Sequence, residues 1–126
     1  MRFGNGDRIN LYNFASGNQA GTYYHADTKE TEYFTSFRVI QNGYTRTQTG
    51  IWCSFGWTYD LPVYDGFLTC EPLSDQNTID SPGNSYFEGL SKLLDDDGNQ
   101  IGWAVTESMD SKYMENAPYQ KNQNNR

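Results

Sequence analysis

Residues 51–70 constrain the fold more than any other stretch of the chain. They read Ile-Trp-Cys-Ser-Phe-Gly-Trp-Thr-Tyr-Asp-Leu-Pro-Val-Tyr-Asp-Gly-Phe-Leu-Thr-Cys. Ile51, Cys53, Phe55, Trp57 and Tyr59 alternate with Trp52, Ser54, Gly56 and Thr58, which is the period of a half-buried strand. Asp60-Leu61-Pro62 interrupts the run, and a second aromatic and β-branched run follows over 63–70. With the bend centred between Leu61 and Pro62, Tyr59 lies opposite Tyr64, Trp57 opposite Gly66, Phe55 opposite Leu68 and Cys53 opposite Cys70. All four pairs share one face, and a slip of one residue would turn every one of them over. In this register Trp57 covers the bare backbone of Gly66. The two sulfurs come within disulfide reach, so Cys53 and Cys70 are a disulfide candidate. A pair of buried thiols fits equally well in a reducing compartment. Leu61-Pro62 lacks the residues of a two-residue hairpin, so a four-residue loop or a turn with a cis Pro62 is expected.

Neighbouring segments read as further strands. Residues 8–15 alternate, 16–21 carry turn residues, and 22–26 can return as a partner. Residues 32–41 read as one strand that ends at Asn42-Gly43, a type I′ hairpin signal. The return strand, 44–59, would complete a three-stranded meander over 32–70, with Phe34, Ile40, Ile51, Phe55, Trp57 and Leu68 on a common face. Residues 71–84 read as a long loop. Residues 85–94 fit a short helix, with Ser85 and Glu88 as a capping box, or a strand turning at 96–99. The hairpin is favoured, because Asp97-Gly98 is a turn signal and Ile101, Trp103 and Val105 alternate behind it.

Aromatic residues make up 16% of the chain and there are 12 glycines, a balance that favours strands over helices. The expected fold is all-β, an antiparallel β-sandwich or small barrel of jelly-roll or immunoglobulin-like type. It would form one domain over 1–108. Residues 109–126 are too polar to bury themselves and read as an extended C-terminal tail.

A formal net charge of −7 argues against a nucleic-acid partner. Between Thr47 and Ser91 there is no Lys or Arg, whereas Asp60, Asp65, Glu71, Asp75, Asp80 and Glu88 fall there, so this surface is expected to be acidic. No apolar run is long enough for a membrane helix. No apolar stretch follows Met1, so no signal peptide is expected, and there is no glycosylation sequon. The composition suits an exposed protein. Cytoplasmic synthesis followed by exposure, as in a virion, reconciles these features; a cytoplasmic protein is the alternative.

Catalytic chemistry finds little support in the residues. His25 is the single histidine, and no nucleophile motif accompanies it. The cysteines lack metal-ligand spacing. In 95–99, Asp-Asp-Asp-Gly-Asn fails the calcium-loop pattern, because Leu93 takes the first ligand position. Asp60 and Asp65 flank an exposed turn, which lacks the enclosed setting of a carboxylate pair for glycoside hydrolysis. No catalytic, metal or cofactor site is therefore expected. The surplus of aromatics points to binding, with Trp52, Tyr59, Tyr64 and Trp103 as candidate ligand-binding residues. The expected function is that of a non-enzymatic structural or binding protein, an accessory component of a virion or other external assembly of the capsid-decoration or tail-accessory type. Its partners would be protein subunits of that assembly, as a homo-oligomer or against a capsid or tail protein. The alternatives are a carbohydrate-binding module for a glycan and an acidic cytoplasmic inhibitor or immunity protein.

Overall fold

The computed structural model describes residues 1–48, 50, 52–81 and 84–108. Ile51 and the expected tail, 109–126, lie outside these residues. The strands are β1 (Arg2–Phe3), β2 (Arg8–Asn13), β3 (Gln19–Tyr24), β4 (Thr31–Phe34), β5 (Arg38–Gln41) and β6 (Tyr44–Arg46). The chain continues with β7 (Trp52–Ser54), β8 (Trp57–Asp60), β9 (Phe67–Pro72), β10 (Thr78–Ser81), β11 (Asn84–Leu94) and β12 (Gln100–Ser108). There is no helix among the described residues, and the fold is all-β as the composition implies.

The main sheet is antiparallel in the order β4-β3-β2-β1-β12-β11-β9-β8-β5, with β10 also on β11. Its two edge strands, β4 and β5, are consecutive in the chain and joined only by Thr35, Ser36 and Phe37. Such a link spans at most about 14 Å, whereas nine strands laid flat would extend about 38 Å. The sheet therefore curls into a half-barrel. Phe37 fills the gap between the edges. It is buried, its N–H donates to Gln19 Oε1 (2.9 Å), and its ring meets Phe34 edge-on at 5.9 Å. The expected single strand over 32–41 is thus two strands on opposite edges, because burying Phe37 swings the chain across the opening.

The expected hairpin at Asn42-Gly43 does not form. β5 pairs with β8 and β6 with β7 in one shared register, from Arg38 opposite Asp60 to Arg46 opposite Trp52. Across the break, the Asn42 N–H donates to the Gly56 carbonyl (2.8 Å) and the Phe55 N–H to the Gly43 carbonyl (3.0 Å). This is one long ribbon with its tip after Arg46. Gly43 is not in the left-handed region a type I′ turn requires; instead the Phe55 ring lies over it, closer than a β-carbon would permit. Gly50, with φ of 93°, serves the tip.

The central ribbon exists, but its register differs from expectation. Tyr59 pairs with Leu68 and Trp57 with Cys70. The reversal occupies 61–66, a longer loop than expected, because Leu61 turns inward and is 2% exposed. The displacement is even, so the inward parity survives. Cys53 falls on β7 opposite Thr45, away from Cys70. Both cysteines are buried thiols in separate core clusters, not a disulfide.

Among the described residues of the expected loop over 71–84, most are not loop: 71–72 belong to β9 and 78–81 form β10. After β9 the ladder to β11 continues through the Leu73 N–H to the Leu90 carbonyl (3.0 Å), and resumes where the Glu88 N–H reaches the Asn77 carbonyl (3.0 Å). Residues 74–76 bulge out opposite Gly89, and β10 follows. Residues 85–94 are strand, turning to β12 as the Asp97-Gly98 signal implied. The Asn99 and Asp97 amides close that turn by donating to Asp95 Oδ1 (2.8 and 3.0 Å).

The concave side holds Ile9, Tyr23, Leu68, Cys70, Leu93 and Ala104, with a second cluster of Cys53, Trp57 and Phe87. On β12 Ala104, Thr106 and Ser108 are buried, whereas Trp103 and Val105 of the alternating set face outward. At Gly102 the β1 backbone comes so close that a β-carbon would strike the Arg2 carbonyl.

Candidate binding surface on the outer sheet face

Register alone assembles the outer face. Lys92 lies opposite Trp103, Trp103 opposite Arg2, Arg2 opposite Arg8, and Arg8 opposite Tyr24. Cross-strand partners project to one side of a sheet, so five strands contribute a continuous row of cations and aromatic rings. Glu71 ends the row at β9 and Thr31 at β4. Among the described residues, no carboxylate lies within ion-pair distance of Arg2, Arg8 or Lys92. The Arg8 guanidinium stands 5.9 Å from the centre of the Tyr24 ring, a weak attraction at an exposed site.

Two residues further along β12 and β11, on the same face, runs a second, aliphatic row. Leu73, Leu90 and Val105 are 52%, 44% and 68% exposed, and Trp103 beside them is 45% exposed. Apolar side chains adjoining an exposed Trp and two Arg make the composition typical of an interface centre.

Of the four candidate residues named from the sequence, only Trp103 belongs to this face. Tyr59 packs inside against both core clusters, and burial raises its hydroxyl pKa. Tyr64 stacks on Phe3 at 5.9 Å, and burial, then Asp95, Asp96 and Asp65, raise its hydroxyl pKa as well. Trp52 is half-buried on the ribbon, with the Arg46 guanidinium 5.9 Å from its ring centre. The four do not form one site. Arg2, Arg8, Tyr24 and Lys92 escaped sequence reasoning, because only the pairing of β1 with both β2 and β12 brings them into line.

An acidic counterpart lies at the loop and turn that close the sheet. The Phe67 N–H donates to Asp96 Oδ1 (3.0 Å), which holds loop 61–66 against turn 95–99. Asp65, Asp96 and Asp97 are exposed there, beside Asp95.

His25 sits elsewhere, near the β3–β4 edge. Its Nε2 is 2.7 Å from Glu32 Oε2, and its ring stacks on Tyr23 at 4.4 Å. The hydrogen bond to Glu32 raises the imidazole pKa above its ordinary value. The Tyr23 hydroxyl donates to Asp7 Oδ2 (2.9 Å) and the Ala26 N–H to Asp7 Oδ1 (2.8 Å). The backbone bond from Ala26 leads the effects that hold the Asp7 carboxyl below its usual range. This network fastens the β1–β2 turn to the end of β3. No group of three or more His, Cys, Asp or Glu among the described residues has the arrangement of a metal site.

The molecule is thus a curled antiparallel sheet with a charged, partly apolar outer face. Comparison with protein-family models, with curated proteins and with solved structures finds no match to the chain.

Proposed function

We propose that the chain is a non-enzymatic structural protein, an accessory component of a virion or other external assembly, that packs against neighbouring copies of itself. The observation behind this reading is the outer row of Lys92, Trp103, Arg2, Arg8 and Tyr24 with Leu90 and Val105 alongside. The same chain carries a complement, the acidic pole of Asp65, Asp96 and Asp97. A basic, apolar face meeting an acidic pole is a heterologous contact, and such contacts build rings or open arrays. Electrostatic pairing of this kind sets register and steers encounter. Sedimentation of the chain over a range of concentrations and salt tests it. Association is expected at low ionic strength, weakening as salt screens the charges, and weakening again in Arg2→Glu and Trp103→Ser. A chain that remains monomeric to its solubility limit at every salt concentration overturns the reading.

The row of three cations and two rings favours one second reading, an acidic polysaccharide lying across the strands. Strands stand about 4.8 Å apart, close to the length of one sugar residue, so each strand would meet one unit. Quenching or shifting of Trp103 fluorescence by a polyuronate, absent with a neutral glycan and in Trp103→Ser, supports it.

A further inference from the structure

A further row of side chains crosses the outer face on the β5 side of the sheet. Arg38 on β5 lies opposite Asp60 on β8, and Asp60 opposite Phe67 on β9. The β9–β11 register sets Leu94 against Thr69, and its continuation brings Asp96 beside Phe67. Asp96 Oδ1 accepts the Phe67 N–H at 3.0 Å, which holds the carboxylate there. Leu68 and Cys70 are buried, so Phe67 and Glu71 share the outward parity of β9. Arg38, Asp60, Phe67 and Asp96 are all exposed.

Across the strands this row runs cation, anion, ring, anion. The basic row described above starts at Glu71 on β9 and continues with Lys92, Trp103 and Arg2. Its order is anion, cation, ring, cation. The two rows are opposite in sign at every charged position, and each has its ring in third place. Neighbouring members stand one strand apart in both, about 4.8 Å, so the spacings match as well. Among the described residues, Arg38 and Asp60 close no ion pair with each other, nor do Lys92 and Glu71.

We infer, building on the self-association proposed above, that the Arg38–Asp96 row of one copy seats on the Glu71–Arg2 row of the next. Arg38 then meets Glu71, Asp60 meets Lys92, Phe67 meets Trp103 and Asp96 meets Arg2. The order of signs settles the direction. Turned end for end about the two rings, the contact would drive Arg38 onto Arg8, which lies next to Arg2, and like charges face to face are costly. Phe67 and Trp103 are the apolar anchors, and the charged pairs around them fix the register. The two rows share no residue, so each copy can engage one neighbour through each row, and a heterologous contact of this kind propagates.

Sedimentation velocity of the full chain at low ionic strength tests this register with charge swaps. Asp60→Lys and Lys92→Asp each put like charges face to face, and each should raise the dissociation constant of self-association roughly tenfold or more. The double variant Asp60→Lys/Lys92→Asp restores the pair and should return to within about threefold of the unmodified chain. Arg2→Asp/Asp60→Lys, the swap that would rescue the reversed direction, should stay weak. Arg38→Glu/Glu71→Arg repeats the test at the outer pair if a change at the half-buried Lys92 prevents folding. Phe67→Ser and Trp103→Ser should each be monomeric alone yet form a one-to-one dimer when mixed, since one intact row of each kind remains. A chain that associates but is indifferent to Phe67→Ser, forms no mixed dimer, or is rescued only by Arg2→Asp/Asp60→Lys overturns this register and leaves self-association standing. A chain that is monomeric under every condition, with these rows idle or covered by its own residues, overturns both.

Discussion

Phe34 and Arg38 lie four positions apart in the chain and on opposite edges of the sheet. The curl of the half-barrel follows from that distance, and Phe37 between them anchors the crossing. Its ring is 9% exposed and packs into the main cluster with Leu61 and Leu68. Phe37→Ala removes that ring from the point where both edges depend on it. A loss of about 3–5 kcal/mol of unfolding free energy is expected, measured by urea denaturation. Ser36→Gly in the same link, which buries no such ring, should cost well under half as much.

The cysteines predict a chemical outcome. Both are 0% exposed, and burial pushes the Cys70 thiol pKa up to about 12. The thiolate is the nucleophile, so Cys70 should resist alkylation at neutral pH until the chain unfolds. Mass spectrometry of native protein treated with iodoacetamide should show no adduct at Cys70, and non-reducing digestion should show no Cys53–Cys70 link. Both cysteines should label fully in denaturant. A crosslinked peptide from native protein would restore the sequence-derived register.

Period-two alternation made the strands legible around Trp57 and Leu68, and Asp97-Gly98 correctly placed the last hairpin. Parity survived even where register failed, since Tyr59 and Leu68 face inward under either pairing. Turn position was harder to read. Asn42-Gly43 has the local signal for a reversal, but Phe55 covers Gly43 and carries the ladder past it. The cysteine pairing failed for a related reason. It assumed a tight bend at Leu61-Pro62, whereas burying Leu61 lengthens the loop to 61–66 and moves Cys70 opposite Trp57. Alternation of Ile101, Trp103 and Val105 marked β12 as a strand but did not say which of its faces points inward. The burial of Ala104 and Thr106 settles that Trp103 and Val105 point out. The cationic row was illegible because Lys92 and Trp103 are distant in sequence from Arg2 and Arg8 and meet them only through the non-local β1–β12 pairing.

Gly102 offers a sharper test of the β1–β12 contact. It pairs with Phe3, and a β-carbon there would collide with the Arg2 backbone, which cannot swing aside as a side chain tip can. Gly102→Ala should cost about 3 kcal/mol and release β1, visible as lost amide protection at Gly4. Gly17 has φ of 88° and open space around it. Gly17→Ala carries only the left-handed backbone penalty of about 1–2 kcal/mol. Equal losses in the two variants would mean that β1 does not press on β12.

The His25–Glu32 pair sets a pH dependence with a definite sign. Folding raises the imidazole pKa, chiefly through the Glu32 hydrogen bond, with Asp7 and Asp27 adding in the same direction. The unfolded chain titrates near 6.5. A group with a raised folded pKa binds its proton more tightly when folded. The stabilisation is therefore complete below pH 6.5 and disappears as pH rises through the folded midpoint. NMR titration of the His25 ring should give a midpoint above 6.5, which falls in Glu32→Gln. Thermal unfolding should separate the wild type from Glu32→Gln most at acidic pH within the range where Glu32 stays ionised, and the gap should close above the folded midpoint. A gap that widens toward alkaline pH would mean that Glu32 stabilises the β3–β4 edge by some route other than the charged imidazole.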